Sequence, residues 1–209
     1  MVVNRRSLPW PSKGKNPFAT LIFTPDSPTW INLEWMKFRI DDSSLAFAYK
    51  ESADRIIQQL ARQRRHRHHD ALFLPIVYLY RHCFELQLKQ IIRLGVIPQT
   101  EKIDGPLTSH NLCKLWKYVE RVVDEVYPGS SSVKDFVNAG KIIKTLHDVD
   151  RSGETLRYSQ NLKGQKHAYP KYVELKQVRN KCDELYNFLK AVEAALEHAN
   201  SMAGEGNSF

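Results

Sequence analysis

Four ionisable side chains fall inside one strongly apolar segment: Arg81, His82, Glu85 and Lys89. Arg81 to Glu85 and Glu85 to Lys89 are i,i+4 steps, and His82 to Glu85 is i,i+3, so a helix places all four on one face. Arg81 offers a planar donor fork suited to a carboxylate or a phosphate. His82 has a ring that moves a proton near neutral pH. Glu85 is placed to hold either cation. Arg81, His82 and Glu85 are therefore the candidate catalytic residues, with Lys89 beside them as a binding residue. A buried ion-pair network that fixes helix register would use the same residues, and the sequence leaves both readings open.

A second group lies downstream in the stretch from His147 to Tyr158. Asp148 or Asp150 is available to neutralise Arg81 or Lys89, and Arg157 to pair with Glu85. This loop is expected to cap the polar face, with Asp150, Arg157 and Tyr158 as binding residues. Plain turn chemistry also favours Asp, Ser and Gly there.

The third feature is a basic run. From Arg55 to His69 there are five Arg, three His and no acid, and these Arg supply most of the net charge of +8. Arg62, Arg64, Arg65 and Arg67 form a patch suited to a phosphate backbone; a solvated helix end is the plainer alternative. His66, His68, His69 and Asp70 are spaced too closely on one helix end to close a tetrahedral metal site. No metal or other cofactor is expected. Gly-rich phosphate loops, Ser nucleophile elbows and HExxH are all absent from the sequence.

The elements that would position these residues read as helices. Asp42 to about Arg65 has apolar residues at 3–4 spacing, with Asp42 or Ser43 as cap. Asp70 to Gly95 is greasy all round in its first half, the mark of a buried central helix. Pro75 fits only in its first turn, and Gly95 ends it. A third helix begins at Ser109 or His110, with His110 read as a helix-start residue. A fourth runs from about Ser132 to Asp148 with Val133, Phe136, Val137, Ile142, Ile143 and Leu146 inward. A fifth spans about Val173 to Ala199. The expected fold is an all-α antiparallel bundle of about five helices over 41–200. A Pro/Trp-rich arm (1–40) precedes it, with a short strand at Leu21–Thr24 and an ambiguous Ile31–Phe38. The arm packs on its own bundle or reaches across a dimer. Residues 201–209 read as a disordered tail.

The 209 residues suit one domain with an extension. No apolar run reaches the ~18 residues of a membrane span, and no signal region follows the N-terminal basic pair. Cys83, Cys113 and Cys182 are scattered, as expected of reduced thiols in a cytoplasm.

The segments YLYRHCFELQLKQIIRLG, SHNLCKLWKYVE and DVDRSGETLRYS resemble, in order, the "RHxxELxLK … GHxLxxLW … DxxGxxFRY" arrangement of uncharacterised bacterial proteins in the HEPN superfamily. The resemblance covers about residues 42–199. It implies a five-helix antiparallel bundle, often a homodimer, of a kind that supplies ribonucleases to toxin–antitoxin and antiphage systems. Active members carry an Arg, a polar residue and then a His a few positions on, which promote metal-independent attack of the RNA 2′-hydroxyl on the phosphate. Arg81-His82 begins that way, but no His follows before Gly95; Arg179-Asn180 begins that way with the next His only at 198. Arg62 or Arg64 with His68 or His69 has the spacing inside the basic run. Two functions follow as expectations. One is an RNA-directed effector acting as a metal-independent endoribonuclease. The other is a non-catalytic dimeric helical module that binds a partner protein or a small ligand.

Overall fold

Apolar residues at helical spacing become five helices among the described residues. They are α1 (Asp42–Arg62), α2 (Phe73–Leu94), α3 (Leu112–Val126), α4 (Lys134–Val149) and α5 (Leu175–Gly206), with a 3-10 turn at Ser130–Ser132. The computed structural model describes residues 41–63, 70–95, 107–151, 155–160, 163–169 and 171–206. All fall in Arg39–Phe209, one of two units into which the chain divides. The arm, with Leu21–Thr24 and Ile31–Phe38, lies outside the described residues, as do Arg64, Arg65, Arg67 and the His66–His69 run. The architecture is an all-α bundle, and among the described residues no helix is long and apolar enough to cross a membrane.

Helix α2 is the centre and touches α1, α3 and α5. Ile76, Tyr80, Phe84, Leu88 and Ile91 form a fully buried stripe along it, each such side chain contributing on the order of 1.5–3 kcal/mol. Pro75 sits in the first turn. The first helical hydrogen bond runs from the Ile76 N–H to the Leu72 carbonyl at 3.1 Å, so the missing proline N–H leaves no gap. Burial is heaviest in the polar half rather than the greasy first half. Phe73, Leu74, Tyr78 and Leu79 are only half-buried, whereas Cys83 through Lys89 are buried without a break. The reason is that α3 and the stretch after α4 close over the polar half.

Neighbouring helices fix one another through polar ends. Tyr80 on α2 reaches Asp54 on α1, and Arg93 near the end of α2 pairs with Asp42 at the start of α1. Those two helices therefore run antiparallel. From His110, beside Glu85, α3 climbs along α2 until Val122 meets Gly95. A Cβ added to Gly95 would lie 1.7 Å from Val122 Cγ1. Gly95 has φ −85°, so close approach, not a left-handed turn, demands glycine here.

Several boundaries differ from the sequence reading. Asp41 caps α1, its carboxylate accepting from the Ser44 N–H at 2.7 Å. Asn111 caps α3, accepting from the Lys114 N–H at 2.9 Å, while Ser109 accepts only from the Asn111 N–H. In α4 the buried residues are Phe136, Ala139, Ile143 and Leu146. Val133 and Val137 are exposed, because the small Ala139, with Gly140 against Trp116, sets the packing phase. Helix α5 continues to Gly206, so residues 201–206 are helical rather than a disordered tail. The Ser201 hydroxyl donates to the Glu197 carbonyl one turn back.

Candidate functional site

The i,i+4 ladder on α2 forms as its spacing requires. Lys89 Nζ donates to Glu85 Oε1 at 2.9 Å, and Arg81 Nη1 lies 3.4 Å from Glu85 Oε2. The loop after α4 supplies a second acid, with Asp150 Oδ2 3.7 Å from Arg81 Nε. Asp150 Oδ1 accepts from the Thr155 N–H at 2.9 Å. The relative exposures of Arg81, Glu85, Lys89 and Asp150 are 5%, 2%, 9% and 1%. Two cations and two carboxylates thus leave water together, which a buried charge requires. The Arg81–Asp150 contact is loose: Arg81 Nε and Asp150 Oδ2 are both buried without a hydrogen-bond partner among the described residues.

His110 completes the centre, and sequence reasoning assigned it no more than a helix start. Its Nδ1 lies 2.8 Å from Glu85 Oε1, and its backbone carbonyl accepts from Arg81 Nη2 at 2.7 Å. The side chain is 76% exposed. Burial would push the Glu85 carboxyl up, but hydrogen bonds from Lys89 and His110 outweigh it and hold the group below its ordinary value. An ionised carboxylate only accepts. The His110 Nδ1 therefore carries the proton, and Nε2 is the basic nitrogen. A buried carboxylate orienting an exposed imidazole is an arrangement that moves protons. The only sequence signal for it was the SHNLCKLW segment itself; 25 residues separate the partners.

His82 does not join the group. Helical side chains lean toward the N-terminus. Its ring stacks parallel to Tyr78 one turn back, with centroids 6.1 Å apart, and meets Tyr49 edge-on at 4.5 Å. Burial there pushes its pKa down. Of the four residues predicted to share a face, three form the network and the fourth sits among aromatic rings.

The loop caps the centre through Asp150 and Thr155. Asp148 is exposed and pairs with Lys144 and Arg151 instead. Arg157 is exposed and stands 5.7 Å over the Tyr158 ring, while Glu85 is taken up by Arg81, Lys89 and His110. Arg62 is exposed at the end of α1. His147, in the last turn of α4, has a buried Nδ1 without a partner among the described residues. Burial first, and then the charge of Arg81, push its pKa down.

No family model, curated protein or solved structure matches this chain. The chemistry of the centre must be read from its own groups.

A second polar cluster lies on the side of α2 that faces α1 and α5. The Tyr80 hydroxyl donates to Asp54 Oδ1 at 2.5 Å, and Lys50 Nζ donates to Asp54 Oδ2 at 2.7 Å. Arg179 Nε lies 3.4 Å from Asp54, and Lys50 also pairs with Asp183. Burial, with Asp54 adding to it, raises the Tyr80 pKa far out of range. This cluster links three helices.

Proposed function

We propose that this chain is an RNA-directed, HEPN-like helical protein that cleaves RNA without metal, with His110 as its acid–base group. The observation that carries the reading is the 2.8 Å bond between the buried Glu85 carboxylate and the exposed His110 ring. His110 Nε2 would take the proton from a ribose 2′-hydroxyl as the oxygen attacks the adjacent phosphorus; the P–O5′ bond breaks, the departing 5′-oxygen takes up a proton from water, and a 2′,3′-cyclic phosphate remains. Glu85 stabilises the imidazolium that forms, as an orienting carboxylate does. His110 lies one residue before the α3 cap, Asn111, so a phosphate beside it would also feel the positive end of that helix. Arg81 is a positioning residue in this scheme: its guanidinium is buried and holds Glu85 and the His110 carbonyl. The resemblance adds a homodimer and a toxin–antitoxin or antiphage setting, and the scattered cysteines a cytoplasmic one.

The test is incubation of purified full-length protein with mixed cellular RNA in EDTA. The expected result is cleavage leaving cyclic phosphate ends, and a loss of ~10²–10⁴-fold in rate for His110→Ala, with the variant melting like the wild type. RNA left intact with and without EDTA, or full activity of His110→Ala, overturns the reading.

One observation favours the alternative of a non-catalytic binding module. The charges of Arg81, Glu85, Lys89 and Asp150 are paired inside the protein, as a purely structural network requires. That module binds its partner with His110→Ala unchanged and cuts nothing.

A further inference from the structure

The segment from Thr155 to Val173 carries Arg157, Lys163, Lys166, His167 and Lys171 and no Asp or Glu. Three tyrosines are interleaved with these cations, and all three are exposed: Tyr158, Tyr169 and Tyr172, the last at 78%. Two of them already carry a cation on the ring face. Arg157 is 5.7 Å from the Tyr158 centroid, and Lys171 Nζ is 5.6 Å from that of Tyr172.

Several of its described residues are tied down. A bridge pairs Gln160 with Lys166, and Gly164 turns the chain between them with φ 73°. The Tyr169 hydroxyl donates to the Thr155 carbonyl at 2.9 Å. Past this point Tyr169, Lys171 and Tyr172 form one wall of a cavity of about 880 Å³. The facing walls are apolar, with Leu60 of α1 and Phe73 and Leu74 of α2. Two acids also line the cavity, Asp70 and Glu174. The Glu174 carboxylate is engaged by the N–H groups of Lys176 and Gln177.

Exposed rings at intervals, flanked by cations and opening on an apolar recess, are what unpaired bases and their phosphates require together. Each base has a π-face to lay on a tyrosine, and the lysines follow the backbone charge. A duplex hides its bases in its own stack and offers nothing to the rings. The recess lies within the volume range of ligand pockets. We infer that Tyr169 and Tyr172 with Lys171, which line the cavity together, are a binding platform for single-stranded nucleic acid, the cavity beside Tyr172 accepting a base. This rests on the proposed RNA-directed function for its biological sense, but it stands on a different part of the molecule.

The experiment is fluorescence anisotropy of the full-length protein with a labelled single-stranded RNA oligonucleotide, the matching duplex, and poly-glutamate as competitor. Tyr172→Ala is expected to weaken single-strand binding by ~5–150-fold, the range for loss of one stacked base, while Tyr172→Phe restores it. Lys171→Gln is expected to lower the slope of log affinity against log salt by ~0.7. Both positions are exposed, and a melting curve checks each variant's fold. Equal binding of duplex and single strand, competition by poly-glutamate as strong as by RNA, or wild-type affinity of Tyr172→Ala overturns the platform. If Tyr172→Ala binds and cleaves RNA as the wild type does, the platform is wrong and the nuclease reading stands. If single strands bind through Tyr172 and are never cut, the platform stands and the nuclease reading falls.

Discussion

Glu85 and Asp54 are two buried carboxylates on neighbouring helices, and each is held by two cations. Glu85 has Arg81 and Lys89; Asp54 has Lys50 and Arg179. The difference is the third partner. Asp54 accepts from the hydroxyl of Tyr80, which is completely buried and locked in its protonated form. Glu85 is bonded to His110, whose ring stands in solvent. The first cluster meets solvent only through the partly exposed Arg179 and Asp183, whereas the second meets it through an imidazole. A buried ion pair by itself argues for structure; the exposed imidazole is what turns one of these two into a candidate site.

The largest test of that contrast is thermodynamic. Glu85→Ala strands the buried Lys89 and is expected to cost about 3–5 kcal/mol in urea unfolding, whereas Asp54→Ala leaves Lys50 and Arg179 with Asp183 and is expected to cost less. A change near zero for Glu85→Ala would mean that Lys89 finds water on its own and that the cluster is not structural. Next in size is Tyr80→Phe. It removes a bond to a charged group and is expected to cost about 1.5–3 kcal/mol while leaving RNA cleavage unchanged. Lost cleavage in this variant would couple the two clusters and erase the distinction.

The smallest effect is a pH dependence. Glu85 titrates below its ordinary value of 4.5 in the folded protein. Its stabilisation is therefore complete above pH 4.5 and disappears as the pH falls through the lower folded value. Glu85→Gln cannot titrate, so the stability gap between wild type and variant is expected to narrow below pH 4.5. A gap of constant width down to pH 3 would show that Glu85 is not held ionised by its neighbours.

Much of this was legible in residue order because it is local. The 81/85/89 ladder follows from helix geometry alone, and so does the place of Pro75 in the first turn of α2. Asp150 was one of two acids the loop offered, and the choice between them was set by packing: Asp148 faces solvent and its own neighbours, whereas Asp150 turns inward. The rest depended on information that spacing does not carry. His82 has the right interval to Glu85, but its ring follows the backward lean of helical side chains onto Tyr78. Val133 and Val137 have the right hydrophobicity for a core, yet Ala139 and Gly140 decide which face of α4 meets Trp116. His110 reaches Glu85 only because α3 begins level with it, 25 positions further along the chain. Neither residue type nor spacing signals that placement.

The three cysteines turn this architecture into a clock. Cys83 and Cys182 lie in the core, and burial pushes the Cys83 thiol up to about 12 and that of Cys182 up as well. Cys113 is only half-buried, near the start of α3. Thiolate is the reactive form, so at neutral pH Cys113 reacts first with a thiol reagent such as iodoacetamide. Cys83 and Cys182 wait for the α1–α2–α5 contact to open, and their labelling rate measures how often the bundle comes apart.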